Sequence, residues 1–256
     1  MTPTLNVYSL PRLVDPEKLS GGVAVVIDVL RASTTIVHAL EAGAAEIVPC
    51  LKVDEARIVA EQFPEGTVVL GGERKGLPIE GFDLGNSPLD YLPHIVEGKA
   101  VVFTTTNGTR AMTQVRTADR VLIGAFVNAS AIVKELVDQK HIHLVCSGTD
   151  GQISQDDVLL AGMLVERIMR EGGLLYEQNA QAITAREAWL HSFALPRALG
   201  AEPLEPERLA AELQKSAGGR NLVNVGLEAD ILTASRIDQF QSVPELDPEK
   251  LRIRLV

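Results

Sequence analysis

Aromatic residues make up only 4% of this 256-residue chain, too few for the stacking platforms on which single-stranded nucleic acids bind. Cysteine is nearly absent too. Cys50 and Cys146 form no metal-type spacing and no disulfide framework, so both read as reduced thiols of a cytoplasmic protein. No run reaches the roughly 18 apolar residues of a membrane span. The opening MTPTLNVYSLPRLVDPEK lacks the basic-then-apolar pattern of an export signal. Positive charge is short: 24 Lys and Arg against 34 Asp and Glu give a net charge of −10, which argues against a nucleic-acid coat or a basic membrane binder. What the chain does have is 46% hydrophobic residues, enough at this length to bury a core without covalent staples. At roughly 150 residues per domain it makes one large domain or two small ones.

The first clear element is the β-branched run GVAVVIDV at 22–29, the pattern of a strand covered on both faces. Helical spacing follows over 33–42. The alternation then continues with strands over 46–50, 67–70, 99–103, 120–123 and 141–146, and helices over 53–62, 109–115, 129–138 and 154–171. Residues 71–86 are rich in Gly, Pro and charge and read as a long functional loop. The remainder reads as helices over 180–199, 206–215 and 227–235, with a terminal strand over 251–256. Strand–helix alternation predicts an α/β fold: a three-layer α/β/α arrangement around a mostly parallel sheet, with a helical C-terminal part. The main motifs fall in residues 1–172. Residues 173–256 form the helical part, whether separate or continuous with the same domain.

In open parallel sheets ligands bind beyond the carboxyl ends of the strands, and four expected strands run straight into polar motifs. These are Asp28-Val-Leu-Arg31-Ala-Ser33, Gly71-Gly72-Glu73-Arg74-Lys75-Gly76, Thr104-Thr105-Thr106-Asn107-Gly108-Thr109-Arg110 and Cys146-Ser147-Gly148-Thr149-Asp150-Gly151. Their cations, in so acidic a chain, suit an anionic ligand, and helix N-termini after the strands add free N–H groups. Ser216-Ala-Gly-Gly219-Arg220-Asn221 repeats this chemistry later. The nearby carboxylates Asp28, Glu73, Asp83, Asp156 and Asp157 suggest a divalent cation such as Mg²⁺, which takes one or two carboxylates together with phosphate oxygens.

Each motif also has a plainer reading. Thr104–Thr106 can be a strand end before an Asn-Gly turn, Asp28 can simply pair with Arg31, and Glu73-Arg74-Lys75 can be a solvated turn. Ser154–Asp157 fits a helix capping box. His141 and His143 alternate along a strand and read better as core or edge histidines than as a metal pair. The plain readings would have to hold at several strand ends at once.

Several phosphate-handling motifs are absent. Asp28 is not followed by a second Asp two residues on, and the sixth residue after Cys146 is Gln152 rather than the Arg of a cysteine phosphatase. Gly71–Gly76 has Walker-like glycine spacing but continues with Leu77. Neither a dinucleotide fingerprint nor a Gly-x-Ser-x-Gly elbow is present.

Four long segments, VVIDVLRAST (25–34), GGERKGLPIEGFDLGNSP (71–88), TTTNGTRA (104–111) and GTDGQISQDDVLLAG (148–162), resemble the 2-phosphosulfolactate phosphatase family in content and order. GGRNL (218–222) is the clearest match in the last third. The resemblance implies a three-layer α/β fold and a Mg²⁺-dependent phosphatase that converts (2R)-2-phospho-3-sulfolactate to 3-sulfolactate and phosphate, a step of coenzyme M biosynthesis. The expected partner is therefore a small anionic phospho-acid, with no nucleic acid and no membrane; a homo-oligomer is left open.

Within that reading Asp28 and Asp157, with Asp156 or Glu73 as a third, hold Mg²⁺. Arg31 and Arg110 clamp phosphate oxygens, because guanidinium forks match that geometry. Thr106, Asn107, Gly108, Thr109 and Gly148 contact the same group. Arg74, Lys75 or Arg220 take the carboxylate or sulfonate. Cys146 is structural, and the nucleophile is either water or a carboxylate such as Asp28. Two other readings stay open: a lyase or transferase acting on a phospho-acid, and a sensor that binds a phosphorylated metabolite without turnover.

Overall fold

Strand β2 (Val23–Ile27) is buried at every position, as its unbroken β-branched run requires. In a computed structural model, which describes residues 2–194 and 204–256, it lies inside an eleven-stranded sheet. Its parallel neighbours are β7 (Arg120–Gly124) and β8 (His141–Cys146); beyond β8 come β1 (Thr4–Tyr8) and the short β9 (Glu177–Gln178), again parallel. A second parallel group comprises β3 (Glu46–Pro49), β6 (Ala100–Thr104) and β4 (Val68–Arg74), edged by the two-residue β5 (Leu77–Pro78).

The two groups are joined by the end of the chain. β10 (Pro244–Asp247) pairs antiparallel with β7, β11 (Arg252–Leu255) pairs antiparallel with β3, and the two form a hairpin with each other. The expected terminal strand is therefore a central one, fastened by Arg252 and Arg254, which both reach Glu46. Three antiparallel steps set the two parallel groups in opposite senses. A twist of roughly 20–25° per strand, accumulated over the steps from β6 to β2, turns their carboxyl ends toward each other.

Helices α1 (Ala32–Glu41) and α4 (Gly108–Gln114) fill the space between the groups. Ile36, Ala39, Ala111 and Met112 share one core with Ala24, Val26 and Ile123 of one group and with Ile47 and Val101 of the other. α5 (Ala129–Leu136), α6 (Gln155–Glu171) and α7 (Ala180–Trp189) cover the opposite face of the β7-β2-β8-β1 group, together with α8 (Pro206–Leu213). α2 (Val53–Ala60) covers the outer face of the other group. This is the expected three-layer α/β/α arrangement, and no helix among the described residues is long and apolar enough to cross a membrane.

Two differences from the sequence reading have clear causes. The sequence pattern places the start of a loop at the glycines 71–72, yet β4 runs through them to Arg74. A Cβ on Gly72 would strike the Thr104 carbonyl, so glycine here permits a close approach of two backbones rather than a turn. The turn comes at Lys75 and Gly76, both at positive φ (55° and 82°). The helix expected to reach Leu199 is α-helical to Trp189 and ends in a π-helical turn, Leu190–Ala194; positions 195–199 lie outside the described residues. Further elements carried too little pattern to be read: β1, β5, β9, β10, the one-turn helix α3 (Pro93–Val96), and the helix α9 (Ala217–Asn224), which Ser216 caps by accepting the Gly219 N–H at 2.9 Å.

Candidate active site

β2 ends in Asp28, which is 7% exposed. Its backbone N–H donates to Ser33 Oγ (2.9 Å), and its Oδ1 accepts the Ala32 N–H that opens α1 (3.2 Å). Across from it β6 delivers Thr105–Thr109 into α4. A Cβ on Gly108 would sit 2.9 Å from Asp28 Oδ2 and 2.9 Å from the Ala32 Cβ, so only glycine lets the two strand–helix junctions meet. They enclose a chamber of about 70 Å³. Asp28, Arg31, Glu73, Lys75, Thr106 and Asn107 all line it, which brings three of the four sequence motifs into one place. The fourth motif contributes Thr149 and Asp150, and α9 closes the chamber with Gly218 and Asn221.

Arg31 is held from both sides. One terminal nitrogen donates to Asp230 Oδ2 at 2.7 Å and the other to the Gly76 carbonyl at 2.9 Å. Asp230 lies in α10 (Glu228–Ala234), and its Oδ1 accepts the Ser87 hydroxyl at 2.6 Å. Ion pair and hydroxyl are all buried, which fixes the guanidinium plane and leaves its remaining N–H donors for a ligand. The preceding Leu30–Arg31 peptide is cis.

Glu73 is a hub within the chain. Oε1 accepts the backbone N–H and the hydroxyl of Thr106 (2.9 and 3.0 Å), and Oε2 accepts the Gly76 N–H (2.7 Å). Asp157 likewise binds Val29 N–H and Gly148 N–H, each at 2.9 Å, tying the loop after β2 to the loop after β8. Asp156 accepts the Ser154 hydroxyl. Arg74 is turned away from the chamber: it donates to its neighbour's carbonyl at Glu73, to the Leu51 carbonyl and to Thr104 Oγ1 (2.7, 3.2 and 2.9 Å). Thr109 is buried in α4 and its carbonyl accepts the Thr113 hydroxyl, while Arg220 is exposed and bonded to the Lys215 carbonyl. Arg110 lines a neighbouring cavity that shares Asn107 with the chamber.

The carboxylates press on one another. Burial, with the charges of Asp156 and Glu73 nearby, pushes Asp28 up to about 7, although the Ala32 N–H and Arg31 act the other way. Asp156 and Asp157 are raised for the same main reason, and burial raises the Cys146 thiol well above its ordinary value, which leaves it a protonated core group at the end of β8. Away from the chamber, His143 packs on Tyr8, and burial lowers it to about 4. His141 bonds to Thr4 Oγ1 at 3.1 Å, so both histidines serve the sheet.

Thr105 Oγ1 and Asn86 Oδ1 are buried in the chamber wall without any hydrogen-bond partner. Buried polar atoms are nearly always paired, so two orphans in one wall leave a donor and an acceptor open to a polar ligand. For a cation the fit is partial. Among the described residues no three His, Cys, Asp or Glu side chains stand together as a metal cluster, and Glu73 and Asp157 already use both oxygens within the chain. Asp28, which lines the chamber and binds the chain through Oδ1 alone, remains as a hard oxygen ligand, and Mg²⁺ needs only one or two carboxylates when phosphate and water complete its shell.

A family profile described as 2-phosphosulpholactate phosphatase matches residues 8–249, nearly the whole chain. The chain belongs to the 2-phosphosulfolactate phosphatase family. Among relatives of this family, a probable 2-phosphosulfolactate phosphatase of Symbiobacterium thermophilum is 40% identical over 89% of this chain and 92% of its own length. Those of Caldanaerobacter subterraneus subsp. tengcongensis and Deinococcus radiodurans are 35% and 38% identical, over 94% and 91% of this chain and 95% and 91% of their own lengths.

Asn86, Thr105, Thr149, Asp150, Asn221 and Asp230 line or brace the chamber although the sequence pattern assigns none of them a role. All but Asp230 lie inside the quoted motifs, so their position was a usable signal. Asp230 is one acid in an ordinary helical pattern and gave none.

Proposed function

We propose that this chain is a phosphoric monoester hydrolase for a small, multiply anionic hydroxy acid, with (2R)-2-phospho-3-sulfolactate as the substrate its family membership favours. The observation that carries the reading is the chamber itself. It is a phosphoryl-sized space with a raised carboxylate on one side, a braced guanidinium on another and an unpartnered hydroxyl in its wall.

In this reading the phosphoryl group enters between Asp28 and Thr105. Arg31 and Lys75 offset its charge, and the Thr105 hydroxyl donates to one of its oxygens. Asp28 takes the proton of the attacking water as the new P–O bond forms, and passes that proton to the leaving alkoxide as the ester P–O bond breaks. The alternative in which Asp28 itself attacks phosphorus uses the same placement. Asp230 and Ser87 hold Arg31 in plane, and Glu73 holds the Thr106 turn and the Gly76 turn together. Mg²⁺, held by Asp28, would neutralise phosphoryl oxygens and polarise phosphorus.

A phosphate-release screen over small phospho-acids, with Mg²⁺ and with excess chelator, tests this. Release from 2-phospho-3-sulfolactate that the chelator abolishes is the expected result. No release from any phospho-acid at any metal concentration would overturn the hydrolase reading, and full activity in chelator would remove the cation from it.

A further inference from the structure

We propose that the cavity adjoining the chamber is a second anion subsite, in which Arg12, Arg110 and Ser147 hold the non-reacting acidic group of the substrate, a sulfonate or a carboxylate. The proposal rests on the phospho-acid reading above and adds to it the residues that select the acid.

The first observation is size. The chamber offers about 70 Å³ and the adjoining cavity about 460 Å³, so the larger share of the free space lies beside the chamber rather than in it. Asn107 lines both, so the two spaces adjoin at that residue.

The second is charge. Asp28, Glu73 and Asp150 line the chamber, but no Asp or Glu among the described residues lines the cavity. Two guanidinium groups do, and they come from separate elements: Arg12 from the short 3-10 turn Pro11–Leu13, and Arg110 from α4. Neither has a carboxylate partner among the described residues. Arg12 is held in place by one bond, to the Gly151 carbonyl at 2.9 Å, which leaves four of its five N–H donors.

The third is an orphan. Ser147, 4% exposed at the end of β8, lines this cavity with an Oγ that has no partner. A buried hydroxyl beside two unpaired guanidiniums matches the three acceptor oxygens of a sulfonate or the two of a carboxylate. Leu10 and Leu51 supply apolar wall for the carbon skeleton between the two anions.

The test compares 2-phospho-3-sulfolactate with glycerol 2-phosphate, which keeps the skeleton and the phosphate but replaces both acids by hydroxyls. Arg12→Ala is expected to reduce the kcat/KM preference for the acidic substrate about tenfold, mainly through KM, as loss of a charge-assisted hydrogen bond does. Arg12→Lys should recover part of it. Gln114→Glu brings a negative charge to the cavity wall without touching the Arg12–Gly151 contact, and should shift the preference in the same direction. 2-Phospholactate, which keeps only the carboxylate, tells which acid occupies the subsite. Equal losses on acidic and hydroxyl substrates, or no change in preference in either variant, would overturn the proposal. If the wild type releases phosphate from none of these esters, the hydrolase reading fails. The subsite is then decided by calorimetry with 3-sulfolactate: binding about tenfold weaker in Arg12→Ala supports it, and unchanged binding ends it.

Discussion

The two strand–helix junctions that face each other across the chamber are built alike and furnished differently. β2 runs through Asp28 and Arg31 into α1, with charges that are buried and each held by hydrogen bonds within the chain. β6 runs through Thr104–Asn107 into α4 with hydroxyls, an amide and a glycine, and one of those hydroxyls has no partner at all. A buried carboxylate raised to about 7 tolerates a close neutral wall far better than another charge. The neutral junction is therefore what lets the charged one be reactive, and Gly108 is the point where they touch.

Asp28→Asn breaks this comparison most severely. Turnover should fall by at least about a thousandfold, as for removal of a group acting at the reacting atom, in a phosphate-release assay. The fold should gain. A carboxyl raised from its ordinary range to about 7 favours the folded state below its unfolded pKa, and that contribution is lost as pH rises through 7. At pH 8 the variant should therefore unfold later in urea, by about 1–3 kcal/mol. Unchanged activity would remove Asp28 from the centre.

Gly108→Ala tests the contact itself. In a helix Ala is worth about 1 kcal/mol more than Gly, but here its Cβ would press on Asp28 Oδ2 and the Ala32 Cβ. Expected is a fall in kcat of about a hundredfold from displacement of the two walls. Wild-type kinetics with added stability would show that the junctions are not in register.

Asp230→Ala leaves Arg31 buried without its counter-charge and Ser87 without its acceptor. A loss of about 3–5 kcal/mol in denaturant unfolding is expected; a loss near zero would mean that water replaces the carboxylate. Acid sensitivity comes from two histidines with buried ring nitrogens, His38 in α1 and His143 in β8. His38 and His143 are each lowered to about 4 by burial, so the unfolded chain binds protons that the native one refuses between pH 6.5 and 4. Stability should decline as pH falls through that window, by up to about 3 kcal/mol for each histidine, and His143→Gln should flatten the decline. Least of all, Thr105→Val removes an orphaned hydroxyl, so stability should stay within about 1 kcal/mol while inorganic phosphate competes several-fold more weakly.

Most of the alternation was legible because strands buried on both faces and amphipathic helices differ in period, and that difference is local. α1, α2, α4, α5 and α6 and β2, β3, β4, β6, β7 and β8 follow it closely, apart from the Gly71–Gly72 stretch, where glycine serves a close backbone approach rather than a turn. The motifs around Asp28, Glu73 and Asn107 were legible as strand ends. That Arg74 and Arg220 turn away from the chamber was not, because a cation's direction depends on which carbonyls lie beside it in space.

Composition and period alone determined the class of fold, the parallel groups of strands and the polar edge where they end. Tertiary structure decided that the last strands of the chain sit in the middle of the sheet, that opposed groups curl until Asp28 meets Gly108, and that an acid from α10 braces Arg31. The reason is range: periodicity records what each residue does with its near neighbours, whereas partners some 200 positions apart, such as Arg31 and Asp230, are chosen only once the core has closed around them.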